Sequence, residues 1–164
     1  MAVRRPLHPE QEIVEEFERC ARVTEYLTTR LPRRLWHQPP PTGHGRTIAA
    51  MVAHVHGVRK TFARMGGAPA TPPLDRKRVT PIEAHRALRQ INRTLCAMFK
   101  QSLARGEARA KGLPRRTINM MMYLTQHDAH HRGQVIMRAR ELGHAFSSDD
   151  VMRIWGWKRM TRRG

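Results

Sequence analysis

Three observations predict an all-α protein, a four-helix bundle. Four segments carry apolar residues at alternating steps of three and four, which gathers them on one face of a 3.6-residue period. Pro- and Gly-rich stretches separate these segments, and no segment sustains the two-residue alternation of a half-buried strand. A sheet is therefore unsupported, and packing the four apolar faces together is the economical architecture.

The first helix is expected over about 10 to 31. Ile13, Phe17, Cys20, Thr24, Leu27 and Leu31 form its stripe, Pro9 opens it and Pro32 closes it. After the extended or turning stretch Gln38 to Gly45, a second helix repeats the rhythm with Ile48, Met51, Val55, Val58, Phe62 and Met65, and Gly66-Gly67 ends it. A further Pro-rich linker runs from Ala68 to Pro73. Thr80-Pro81-Ile82-Glu83 then supplies an N-cap, a Pro at the first helical position and a Glu placed for a capping box. The third helix that follows points Leu88, Ile91, Leu95 and Met98 inward. Pro114 and Thr117 precede the fourth, whose stripe is Met121, Leu124, His127, His131, Val135, Arg138 and Leu142, with Gly143 as its stop. Ser147 to Asp150 offer caps for a short C-terminal helical tail reaching Met160, in which Trp155 and Trp157 are expected to anchor the tail over the bundle. The long connections leave the order of helices around the bundle undecided.

At 164 residues the chain is read as a single domain over residues 1–164, long enough to bury a core without disulfides. With 40% hydrophobic but only 5% aromatic residues, that core must be aliphatic and Met-rich. The basic N-terminus leads into Glu10, Glu12, Glu15 and Glu16 rather than an apolar segment, so no signal peptide is expected. No run approaches the roughly 18 apolar residues of a membrane span. Cys20 and Cys96 lie far apart without a Cys-x-x-Cys pattern, which fits reduced thiols and a cytoplasmic location. The net charge of +18 would attract polyanions, but it is nearly all Arg and is spread along the chain. Non-specific nucleic-acid binding is the partner it implies, set against a merely solvated basic surface.

The informative stretch is His127-Asp-Ala-His-His131-Arg-Gly-Gln134. His127 and His131 stand one turn apart and project from the same face, the spacing by which a helix presents two imidazoles to one ion. Both replace apolar side chains on the buried stripe, where unpaired ring nitrogens are costly and need partners. A third ligand should come from a facing helix, and His54 at the edge of the Met51-Val55-Val58 face is the best candidate; His56 lies on the far side of that helix. Asp128 stands where the His-Glu-x-x-His peptidases carry Glu, which disfavours that chemistry.

Thr47-Ile-Ala-Ala-Met-Val-Ala-His54, the His127 to Gln134 stretch, Arg138 to Gly143 and the Trp-containing end make the chain resemble the DinB/YfiT-like family of metalloenzymes over essentially its whole length. That resemblance implies a four-helix bundle with His54, His127 and His131 holding a divalent metal, often zinc or nickel, with open coordination positions. It also implies a metal-dependent enzyme, and by analogy with family members that use low-molecular-weight thiols, a thiol-dependent S-transferase or a hydrolase. Catalytic and cofactor-binding residues beyond the ligands, and the substrate, do not follow from membership.

Three neutral imidazoles leave a divalent ion with net positive charge, able to activate a small thiol or water. The remaining residues have plainer readings. His130 is expected at the surface or behind a ligand, Asp128 as a solvated helix residue rather than an orienting group, and Gln134 as structural or pocket-lining. Cys20, Cys96 and Met120 to Met122 are expected to behave as core residues. The opposing function class is a basic nucleic-acid-associated protein with a structural metal, although no helix-turn-helix, zinc-finger or aromatic RNA-binding motif supports it. A third is an oligomerisation module, a homodimer formed through an exposed helix face.

Overall fold

The computed structural model describes residues 8–156 and is all-helical among them. Its helices are α1 (Pro9–Arg30), α2 (Ile48–Met65), α3 (Pro81–Ala104), α4 (Thr117–Glu141) and the short α5 (Ser148–Ile154). The expected boundaries hold closely because local chemistry sets them. Pro9 sits at the start of α1. The Thr47 side chain accepts from Ala50 N to cap α2. Thr80 and Glu83 form the reciprocal capping box of α3. Gly143, at φ +81°, ends α4 in the left-handed region that a β-carbon disfavours.

Each of α1 and α2 packs against both α3 and α4, whereas α3 and α4 touch only briefly and α5 lies on α1. The order around the bundle is thus α1, α3, α2, α4, with the sequence neighbours α1 and α2 on a diagonal. The residue 31–47 connection makes this possible by running across one end of the bundle. There Leu35 and the wholly buried Trp36 plug the core, and the indole Nε1 donates to Val79 O at 2.5 Å. Apolar periodicity carries no information about such a plug.

The interior is split in two. Val23, Leu27, Trp36, Ile48, Val52, Leu88 and Val135 belong to one apolar cluster. Phe17, Ala63, Leu95, Phe99, Met121 and Leu124 belong to the other. On α2 and α4 the stretch between the two clusters buries the polar side chains His56, Arg59, Asp128 and His131, and buried Thr24 of α1 reaches Asp128.

Three expectations need correction here. The buried face of α4 runs through Met121, Leu124, Asp128, His131, Val135 and Ala139, so it is rotated from the expected stripe and centres on Asp128 instead of His127. Asp128 is 1% exposed and is not a solvated residue. Trp155 is 71% exposed and anchors nothing; α5 is fastened by Ile154 and by Asp150, which accepts from Tyr26 Oη (2.6 Å) and Arg30 Nε (2.7 Å). Trp157 lies outside the described residues. No described helix is long and apolar enough to cross a membrane.

Candidate metal centre

His54 projects from the first half of α2 toward the middle of α4, where His127 and His131 follow each other by one turn. Each of the three offers a ring nitrogen, and these atoms lie within 4.8 Å of one another. The rings crowd together, with centroids 5.1 Å apart for His54 and His127, 4.7 Å for His54 and His131, and 4.5 Å for His127 and His131. His54 Nε2 and His127 Nε2 are 3.2 Å apart. Two nitrogens that close share either a proton or a cation. Ligand nitrogens about 2.0–2.1 Å from one zinc ion stand about 2.9–3.4 Å apart, so the observed pair fits the donor spacing of such an ion.

The tautomer of His131 is fixed by its own helix. Its Nδ1 donates to Gln134 Oε1 at 2.7 Å, leaving Nε2 as the lone-pair nitrogen, and the Gln134 amide donates in turn to His130 Nε2 at 3.0 Å. Gln134 therefore bridges the two rings, and exposed His130 also packs edge-on against His131, with centroids 5.0 Å apart. His127 differs: its Nδ1 is buried and has no hydrogen-bond partner among the described residues.

Electrostatics favour neutral, ligand-competent rings at His54 and His131. Burial, then the charge of Arg46 and the neighbouring His127, lowers the pKa of His54. Burial also lowers that of His131, partly opposed by the Gln134 bond. His56 is buried as well, pushed down to about 4 by desolvation and then Lys60, yet it takes no part in the cluster. The cysteines stand apart: burial raises both thiols, Cys96 to about 11, so they stay protonated near neutral pH.

Behind the imidazoles is an ion pair that the sequence reading did not find. Arg59 of α2 donates from Nη2 to Asp128 Oδ2 at 2.6 Å and from Nε to Oδ1 at 3.3 Å, with both side chains 1% exposed. Thr24 of α1 donates to Asp128 Oδ2 at 2.9 Å and accepts from Arg132 Nη1 at 3.2 Å. Burial alone would raise the Asp128 carboxyl, but the charge of Arg59, the neighbouring His127 ring and the hydrogen bonds from Arg59 and Thr24 outweigh it and hold the group below its ordinary value. Opposite charges on the apolar faces of two different helices were the signal available for this pair.

The cluster sits at mid-bundle. A cavity of only about 10 Å³ adjoins His131, between Thr24, Val52, Val55 and Val135. The larger cavity of about 320 Å³ lies elsewhere, among Arg33, Trp36, His37, Lys77 and Arg78.

An all-helical bundle with three converging imidazoles defines a class of protein whose interior could hold a metal ion. The chain belongs to the DinB family, which matches residues 5–162. No curated protein gives a sequence match to it.

Proposed function

We propose that the chain is a metal-dependent enzyme of transferase or hydrolase type, a single domain over residues 1–164, with one divalent ion, zinc or nickel, held by His54, His127 and His131. The observation that carries this reading is the convergence of three ring nitrogens within 4.8 Å, two of them 3.2 Å apart, in a cluster containing no carboxylate or thiolate. Such a donor set leaves the charge of a divalent ion uncompensated, and the ion would supply Lewis acidity that lowers the pKa of a small thiol or water. Residues of the chain do the rest. Gln134 holds the His131 ring in one tautomer, and half-burial of His54 and His127 limits the access of bulk water. By analogy with family members alone, the preferred cosubstrate is a low-molecular-weight thiol acting on a small electrophile; the chain's own Cys20 and Cys96 lie outside the imidazole cluster, and burial raises both thiols.

Cobalt-substituted protein tests the reaction class. Addition of a small thiol should change the visible spectrum, and the change should vanish in His127→Ala. A spectrum that ignores thiol removes the basis for thiol transfer and leaves water-dependent hydrolysis or a structural metal.

The +18 charge supports a second, independent association with polyanions. Nucleic-acid binding by this surface should be indifferent to sequence and fall steeply with salt. Sequence-selective binding that survives physiological salt would put the nucleic-acid role ahead of the enzyme.

A further inference from the structure

We propose that Asp128, clamped by Arg59 and Thr24, is the positioning residue for His127: its carboxylate fixes the ring so that Nδ1 carries the proton and Nε2 faces His54 and His131. This deepens the metal-centre reading and rests on it.

The argument begins with what His127 lacks. Its Nε2 faces His54 Nε2 at 3.2 Å, and its Nδ1 is buried without a hydrogen bond among the described residues. An imidazole nitrogen in that situation costs free energy unless an acceptor or donor reaches it. The carboxylate of Asp128 is the nearest charged acceptor recorded, with Oδ1 3.8 Å from Nδ1. A ring rotation bringing the two about 1 Å closer completes an ordinary N–H···O bond.

Asp128 is built to accept that bond. Its Oδ2 takes both the strong bond from Arg59 Nη2 and the one from Thr24, whereas Oδ1 receives only the long 3.3 Å contact from Arg59 Nε. The less occupied oxygen is the one that faces His127. Three helices hold the group in place: Asp128 extends from α4, Thr24 from α1 and Arg59 from α2, and the Arg59 guanidinium lies 5.3 Å over the Phe17 ring. A carboxylate that accepts the N–H of the second nitrogen of a ligating histidine fixes the tautomer and raises the basicity of the other nitrogen. His131 has a neutral amide for the same purpose, so two of the three rings are oriented by different chemistry.

A purely structural ion pair would predict something else, namely that metal affinity survives its replacement by apolar residues in a folded protein. The experiment compares wild type with Arg59→Met/Asp128→Leu, which removes both members of the buried ion pair together. Zinc affinity, measured by chelator competition, should fall about 10- to 100-fold in the double variant. Nitrogen-15 spectra of the imidazoles should show His127 protonated at Nδ1 in the wild type, both metal-free and zinc-loaded, and a mixture of tautomers in the metal-free double variant, with His131 unchanged. Wild-type His127 protonated at Nε2 when metal-free, or zinc bound through its Nδ1, overturns the proposal, and neither result depends on any variant folding. Equal zinc affinity in a folded double variant overturns it too. If wild type binds no zinc at all, the metal-centre reading fails, while the metal-free tautomer of His127 still decides the positioning role.

Discussion

Adjacent residues of α4 belong to two polar clusters with opposite characters. Asp128 is part of a closed, charge-compensated set: anion, guanidinium and hydroxyl come from three helices and the ion pair is sealed from solvent, although Arg59 Nη1 is left without a hydrogen bond among the described residues. His127, one position earlier, belongs to a set of three imidazoles that share donors of one kind, stand partly open and leave a buried nitrogen unsatisfied. Both interrupt the boundary between the two apolar halves of the interior. The difference separates a pair of opposite charges that compensate each other from a group of like donors that the proposed ion would join.

The largest expected effect tests the closed cluster. Asp128→Ala strands the Arg59 guanidinium in the core and should destabilise the metal-free protein by about 3–5 kcal/mol in denaturant unfolding, because an uncompensated buried charge remains. Arg59→Met/Asp128→Leu should recover most of that loss. A small effect of Asp128→Ala would mean that water reaches the pair and that the contrast between the clusters is false.

The open cluster should behave the other way. Single His54→Ala, His127→Ala or His131→Ala changes should alter metal-free stability by no more than about 1 kcal/mol, since each relieves the crowding of three like rings, while zinc should cease to stabilise the protein. A large loss of metal-free stability in these variants would make the histidines ordinary core residues.

A milder effect is expected where α5 meets α1. Burial raises the Asp150 carboxyl, but the bonds from Tyr26, Ser147 and Arg30 outweigh this and depress it below the ordinary 3.8. A depressed acid contributes stability that is fully present above its unfolded value and is lost as pH falls through the folded one. The protection of the α5 amides, relative to their intrinsic exchange at each pH, should therefore fall on acidification below about pH 4, and Asp150→Asn should show the lowered protection already at neutral pH. Exchange unaffected by either change would mean that Ile154 alone holds the helix.

Gln134→Ala should have the smallest consequence, a several-fold fall in zinc affinity with stability untouched, because it removes one neutral bond behind His131.

Much of the fold was legible because helix ends are decided locally. The Thr80 to Glu83 box, Pro9 and Gly143 mark their boundaries whatever the tertiary contacts. The circular order of helices was not, since it depends on the Trp36 plug and its bond to Val79, made across 43 residues. The three histidines were legible from spacing and from the resemblance to the family. Asp128 was misread for a physical reason: an acidic side chain is ordinarily solvated, so the stripe was drawn through His127 and not through its neighbour. The progression Met121, Leu124, Asp128, His131, Val135 keeps the three-four rhythm equally well, and Val52, Val55, Arg59, Ala63 does the same on α2. Matching charges on two apolar stripes point to a buried pair.

The central claim is that the open cluster holds one divalent ion, and calorimetric titration of metal-free, untagged protein with zinc addresses it most directly. One ion per chain in the wild type, with binding sharply weakened in each of His54→Ala, His127→Ala and His131→Ala but retained in His56→Ala, is the predicted result. Equal binding in all four variants, or none in the wild type, would contradict it.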